Sequence, residues 1–281
     1  MFIIVMNVII PNNPLLIKMK VFYFSIAGFV IRILFKKNPT HNNIPGISIY
    51  FFQSEILSYL AKFVSSNTNK YDYTIEFRSM NNVERVVRTS DKFSFVYQYH
   101  KKDDITAITS YQLSIWQFQS MLSDFLYQLL SENNGFALHC SAVSVNGKAY
   151  IFLGKSGAGK STIVQLLLKS YIPLSDDLAI IRKIGGKFYL YQTPFFEKNS
   201  YIKFPYGYEI SRIFFLHKSD KNYALPIQKE LSKKIKKQVL LHGTISTNTK
   251  KVLKEFSLEN SFYDLFFEKN TEKIKKTLNK T

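Results

Sequence analysis

The stretch that most narrows what this chain can fold into is Gly154-Lys155-Ser156-Gly157-Ala158-Gly159-Lys160-Ser161, set between an apolar run at 149–153 and a helix-forming run at 162–169. It fits the Walker A pattern at every position, in the strand-loop-helix context that gives the pattern meaning. The glycines let the backbone curl so that successive N–H groups point at one anion, and the following helix aims its positive dipole end at the same place. Lys160 is then placed to reach the β- and γ-phosphates of a nucleoside triphosphate and the Ser161 hydroxyl to ligate Mg²⁺, with Thr162 the next residue of the phosphate-binding turn.

Two flanking features turn a binding loop into a candidate reaction centre. Leu174-Ser175-Asp176-Asp177-Leu178-Ala179-Ile180-Ile181 places two adjacent acids at the entry to an apolar strand. Phosphoryl transfer needs an acid that orders the metal and a group that takes the acceptor's proton. Neighbouring residues entering a strand point to opposite faces, so the pair can divide those roles. Upstream, His139 lies in Ala137-Leu138-His139-Cys140-Ser141-Ala142. Taken alone it reads as a satisfied core histidine, and Cys140 beside it as a small buried hydrophobe.

The rest of the chain reads as a mixed α/β protein. The 21–35 run is apolar but too short to span a bilayer, and a buried strand pair fits it better than a membrane helix. The first ten residues are also apolar, yet lack the charged start and cleavage site of a signal peptide. Segments 73–77 and 93–97 alternate as half-buried strands do, with turn chemistry between them at Asn81-Asn82 and Thr89-Ser90-Asp91. Ile115, Phe118, Leu122, Phe125, Leu126 and Leu129 form a helical stripe ended by Asn133-Asn134-Gly135, expected to pack on the sheet that follows. Hairpins are expected across Asn146-Gly147, between apolar runs 136–145 and 149–153, and across Gly185-Gly186. A short buried strand is expected at 213–216, then a lysine-rich helical tail whose last helix takes its apolar face from Phe262, Leu265 and Phe266. The expected division is a smaller α+β region over 1–130, for acceptor recognition or packing, and a phosphate-loop domain over 131–281.

The formal net charge is +18, but the lysines are scattered, and even Lys233-Lys234-Ile235-Lys236-Lys237 reads as solvated surface. Nucleic acid and membrane are not expected partners, although the charge suits an acidic protein or peptide. One cysteine excludes an internal disulfide and fits a reducing, cytoplasmic setting. Association into a homo-oligomer stays open.

Leu138-His139-Cys140-Ser141-Ala142-Val143, then Asn146-Gly147-Lys148, the phosphate loop, and Ser175-Asp176-Asp177 stand in one order at tight spacing. This resembles the catalytic domain of the HPr kinase/phosphorylase family, a phosphate-loop fold of the phosphoenolpyruvate carboxykinase type, over about a fifth of the chain. The resemblance implies transfer from ATP to a serine of a small protein. By position it implies Asp176 as general base, Asp177 as a residue that helps hold Mg²⁺, and His139 as a histidine close to the transferred phosphate. Thr162 stands where the family carries an acid. Thr193-Pro194-Phe195-Phe196-Glu197 stands where bifunctional members carry a glycine-rich stretch linked to dephosphorylation, so the phosphorylase activity stays open. Glu197 itself reads as a loop salt bridge before a further acid. The segment 24–28 and Arg212-Ile213-Phe214-Phe215-Leu216 look more like the shorter HPr-kinase-like proteins, some of which phosphorylate a peptide hydroxyl. Transfer to a small-molecule hydroxyl, and a nucleotide-binding sensor or maturation subunit without transfer, are the alternatives.

Overall fold

The computed structural model describes residues 20–36, 49–66, 69–78, 85–89, 94–111, 113–197, 199, 201–227, 231–240 and 245–281. The apolar opening, the turn residues Asn81, Asn82, Ser90 and Asp91, and Phe93 lie outside the described residues.

β1 (Lys20–Ile26) and β2 (Phe29–Phe35) pair as an antiparallel hairpin, the strand pair expected there. After α1 (Ile49–Tyr59) and a 3₁₀ turn (Ala61–Phe63), β3 (Tyr73–Arg78) returns parallel to β2. β4 (Arg85–Thr89), β5 (Ser94–Asp103) and β6 (Thr106–Ser110) complete a sheet ordered β1-β2-β3-β6-β5-β4. β3 departs from the half-buried expectation, because residues 73–77 are buried on both faces. Its interior place between β2 and β6 explains this, and the buried Glu76 is held by Lys36 at 2.7 Å and by Arg78.

α2 (Ile115–Glu132) opens with a capping box: the Ser114 hydroxyl accepts from the Gln117 N–H at 3.2 Å, and the Gln117 side chain accepts from the Ser114 N–H at 2.8 Å. Its apolar stripe was expected on the following sheet; it packs there, sharing a core with Ile180 and Tyr191, and against the preceding sheet as well. Phe125 stacks on Tyr73 at 4.6 Å and Phe118 meets Phe77 at 6.1 Å. Aromatic side chains on β3 pack against α2 from one side, and Ile180, Tyr191 and Phe195 reach the same core from further along the chain.

The second sheet is built from β7 (Gly135–His139), β8 (Ser141–Val145), β9 (Lys148–Leu153), β10 (Ile172–Ser175), β11 (Leu178–Ile184), β12 (Lys187–Tyr191), β13 (Tyr208–Lys218), β14 (Tyr223–Pro226), β15 (Val239–Leu240) and β16 (Phe262–Phe267). Its main path runs β10-β8-β9-β13-β12-β11-β7-β15, and β16 pairs with both β13 and β14. The hairpins across Asn146-Gly147 and Gly185-Gly186 are present. The 136–145 run is two strands rather than one. The Cys140 N–H bonds the Asp177 carbonyl at 3.1 Å and the Ser175 hydroxyl bonds the Cys140 carbonyl at 3.2 Å, so the chain breaks there toward the β10–β11 turn.

Beside α2, the described helices that cover this sheet are α3 (Lys160–Leu167), α4 (Leu231–Lys236), α5 (Thr247–Glu259) and α6 (Thr271–Lys280). Alternation sorts their partners. Ile151, Leu153, Ile213 and Phe215 pack with Val252, Leu253 and Phe256 of α5, whereas Phe152, Phe214 and Leu216 pack with Ile163 and Leu167 of α3 and Ile274 and Leu278 of α6. The tail is therefore not purely helical. Phe262, Leu265 and Phe266 belong to β16, parallel to β13, and the apolar face of the last helix is Ile274 and Leu278. The expected 213–216 strand is the centre of the longer β13.

Candidate functional site

β9, β13 and β16 run parallel side by side, and open α/β sheets bind ligands beyond the carboxyl ends of such strands. The phosphate loop leaves β9 at that end and enters α3 at Lys160. Gly154, at φ +153°, lies where an added Cβ would come within 2.8 Å of the Ala158 Cβ. Gly159, at φ +102°, caps α3 with its Cα against the ring of Phe267, 2.8 Å from where a Cβ would stand. Both positions therefore exclude a side chain twice over, by backbone conformation and by space. Lys155 accepts the Ala158 N–H at its carbonyl at 3.0 Å, closing the turn. The loop borders a cavity of about 650 Å³ whose other walls are Phe215 to Lys218 at the end of β13 and Phe266 at the end of β16.

Lys160 is buried, and its ammonium donates to the Gly154 carbonyl at 2.8 Å. Burial lowers its pKa, while Asp177, Cys140 and Asp176 pull the other way, which places both acids within electrostatic reach of the ammonium. Ser161 and Thr162 follow on the first turn of α3, both half-buried.

The acid pair occupies the turn between β10 and β11. The two side chains diverge, as expected of the pair: Asp176 is 4% exposed, whereas the Asp177 side chain is 65% exposed. The antiparallel register pairs Leu178 with His139, which brings the imidazole Nε2 to 3.1 Å from the Asp177 carboxylate. That hydrogen bond from His139 is the main cause holding the Asp177 carboxyl below the usual aspartate range. Inward, the Ser141 hydroxyl donates to the Asp176 carbonyl at 2.9 Å and lies 3.4 Å from its carboxylate. The site thus collects Lys160, Asp176, Asp177 and His139 around the loop. Cys140 is fully buried and its thiol is pushed up by desolvation, as expected of an inert core cysteine.

Asn199, Lys234 and Lys237 escaped sequence reasoning as site residues, and Glu197 reads there as a loop salt bridge before a further acid. Asn199 donates its side-chain amide to the Asp176 carboxylate. Glu197 pairs with Lys203 at 3.9 Å, as a loop salt bridge would, but it is 3% exposed and also accepts the Asp176 N–H at 3.4 Å. Lys234 and Lys237, read as solvated surface, line the cavity beside the loop. Lys234 is held there by Asp264 at 3.0 Å, a carboxylate shared with His217 at 2.7 Å. The place of Thr193 to Glu197 in the chain after the acid pair was the hint to Glu197, and nothing in the sequence points to Asn199.

Among the described residues no three His, Cys, Asp or Glu side chains cluster as a self-contained metal cage. A Mg²⁺ site of the kind expected does not need one, since Mg²⁺ takes one or two protein oxygens and completes its shell with phosphate and water. The hydroxyl of Ser161 and the exposed carboxylate of Asp177 are hard oxygen donors that fit it. The loop's positive-φ glycines and buried lysine fit a triphosphate. Among the described residues, no helix is long and apolar enough to cross a membrane.

Comparison with known proteins places the chain. It is 30% identical over 95 residues to an HPr kinase/phosphorylase of Mycoplasmopsis pulmonis, a match over 34% of this chain and 30% of that protein's length. An HPr(Ser) kinase/phosphatase structure from Coxiella burnetii aligns over 44% of this chain and 88% of its own, with 13% identity and a TM-score of 0.24. The 95-residue similarity to the Mycoplasmopsis protein extends beyond the motifs, although it spans under a third of that protein's length. The family described as SynChlorMet cassette protein ScmC matches residues 103–258, more than half of the chain and all of the loop, His139 and the acid pair; the chain belongs to that family.

Proposed function

We propose that this protein is a Mg²⁺-dependent kinase that moves the γ-phosphoryl group of ATP to a hydroxyl, a serine of a protein or peptide. The observation that carries this reading is the convergence of four groups on the phosphate loop: buried Lys160, buried Asp176, exposed Asp177 and His139 at 3.1 Å from it. The similarity to an HPr kinase/phosphorylase supports the same class of reaction.

In this reading the loop amides from Gly154 to Ser161 and the Lys160 ammonium hold the β- and γ-phosphates, Lys160 exchanging its carbonyl partner for phosphate oxygens. Ser161 and Asp177 would hold Mg²⁺, which would supply neutralisation of the phosphate charge. Thr162 stands beside Ser161 on the same turn. Asp176 accepts the proton of the attacking hydroxyl as the acceptor oxygen bonds to phosphorus and the bond to the β-phosphate oxygen breaks, releasing ADP. Asn199 and Ser141 hold the Asp176 carboxylate in place, and His139 holds Asp177. Most of the rate gain comes from positioning and charge stabilisation rather than covalent chemistry. The region before about residue 130 contributes to acceptor recognition.

The test incubates the protein with Mg²⁺, ATP labelled in its γ-phosphate, an array of serine-bearing peptides and a set of hydroxylated metabolites. Label on peptides supports the reading, and label confined to metabolites replaces it with a small-molecule kinase. Nucleotide binding without label on any acceptor supports a sensor or maturation subunit.

A further inference from the structure

A second cavity, about 420 Å³, opens beside the acid pair. One wall is Tyr59 and Phe63, at the end of α1 and in the turn after it, and the other is Phe196, Tyr201 and Ile202. Asn199, which bonds the Asp176 carboxylate, lies in the same lining, so the cavity leads to Asp176. We propose that this groove docks an acidic polypeptide segment, with an apolar side chain against Phe196 and Ile202 and its hydroxyl delivered to Asp176; the proposal rests on the kinase reading above.

The groove is preformed. The Gln119 side chain on α2 accepts from the Tyr59 hydroxyl and from the Phe196 N–H, each at 2.9 Å, and so ties both walls to one helix. Ordering the walls in advance removes part of the entropy cost of binding. Its rim is apolar and exposed: Ile202 is 69% exposed, Trp116 56% and Phe196 49%, and the Trp116 and Phe196 rings lie 4.6 Å apart. Contiguous exposed apolar surface of this kind marks an interaction site. Trp116 stands outside the cavity lining, so an extended chain covers the whole rim where a metabolite seated in the cavity leaves it bare. Charge gives the partner's sign. The carboxylates of Asp176 and Glu197 are buried, the exposed charge among the described lining residues is Lys62, and the whole chain carries +18. An anionic segment is complementary to that surface and is drawn to it.

The experiment uses the full chain and a short fluorescent peptide containing several glutamates, one serine and one phenylalanine, with two controls in which the glutamates become lysines or the phenylalanine becomes serine. Anisotropy reads binding. The expected result is binding of the acidic peptide, with both controls weaker and Ile202→Asp lowering affinity about tenfold or more. Leu258→Asp, at a 74% exposed position on α5 outside the groove, leaves it unchanged. Both substitutions fall on exposed side chains, and retained ATP binding verifies that each variant is folded. Unchanged affinity in Ile202→Asp, or equal binding of the lysine peptide, overturns the groove. Transfer is read separately. Peptide binding with no label on this peptide or on any acceptor of the array under Mg²⁺ and ATP overturns the kinase reading and leaves the groove standing, and transfer that survives Ile202→Asp undiminished does the reverse.

Discussion

Glu197 is a carboxyl group on which burial and charge compete. Desolvation is the largest influence, and with help from Asp176 and Asp177 it outweighs Lys203 and the Asp176 N–H, raising the pKa to about 7 from an ordinary 4.5. Between those values the folded protein holds a proton that the unfolded chain has released, so stability falls as pH rises through that window and stays lower above it. Glu197→Gln is expected to flatten this dependence and to gain roughly 1–3 kcal/mol above neutral pH, measured by urea unfolding across a pH series. Gly159→Ala is expected to act in the opposite sense. It forces a side chain into a left-handed backbone and onto the Phe267 ring, and should cost about 1–3 kcal/mol with a clear loss of nucleotide affinity by calorimetric titration. The two residues differ in how far the sequence announces them. Gly159 belongs to a pattern whose physics is local, so it was legible. The burial of Glu197 depends on Lys203 and on how the chain folds over Asp176, which no local spacing encodes.

Helices and strands show the same division between local and distant causes. α2 and its packing on the following sheet were legible from its stripe, but its packing on the first sheet was not, because the choice of a second partner depends on the aromatic faces of β3 and β5. Phe118, fully buried against Phe77 and Tyr59, measures that choice. Phe118→Ala should cost about 3–5 kcal/mol in denaturant unfolding. Phe262, Leu265 and Phe266 were misread because three- and four-residue spacing inside a lysine-rich tail imitates a helix. Pairing with β13 on one side and β14 on the other decides for a strand, and the aromatic and branched content of 262–267 suits it. The Asn146-Gly147 and Gly185-Gly186 hairpins were legible because turn chemistry alone sets them. The break at Cys140 was not, since it arises from hydrogen bonds to residues 35 or more positions away.

At the scale of the whole molecule, two sheets are joined through α2 and through Arg182, whose guanidinium donates to the Ala27 carbonyl at 2.8 Å and covers the Phe29 ring. The loop and acid pair stand on the second sheet, while α1 from the earlier part of the chain helps wall the cavity beside them and Gln119 of α2 ties its walls together. The +18 charge spread over this body implies that capture of an anionic partner weakens as salt rises, since screening acts on exposed charges. Anisotropy of the acidic peptide over a salt series checks this, with a falling affinity expected. The central claim is that a single carboxylate takes the acceptor proton at a site whose nucleotide is held by other residues. Its direct measurement compares phosphoryl transfer with ATP binding in Asp176→Asn. Transfer is expected to fall about a hundredfold to ten-thousandfold while ATP affinity stays near that of the unsubstituted protein. Transfer at an undiminished rate in that variant would contradict the claim.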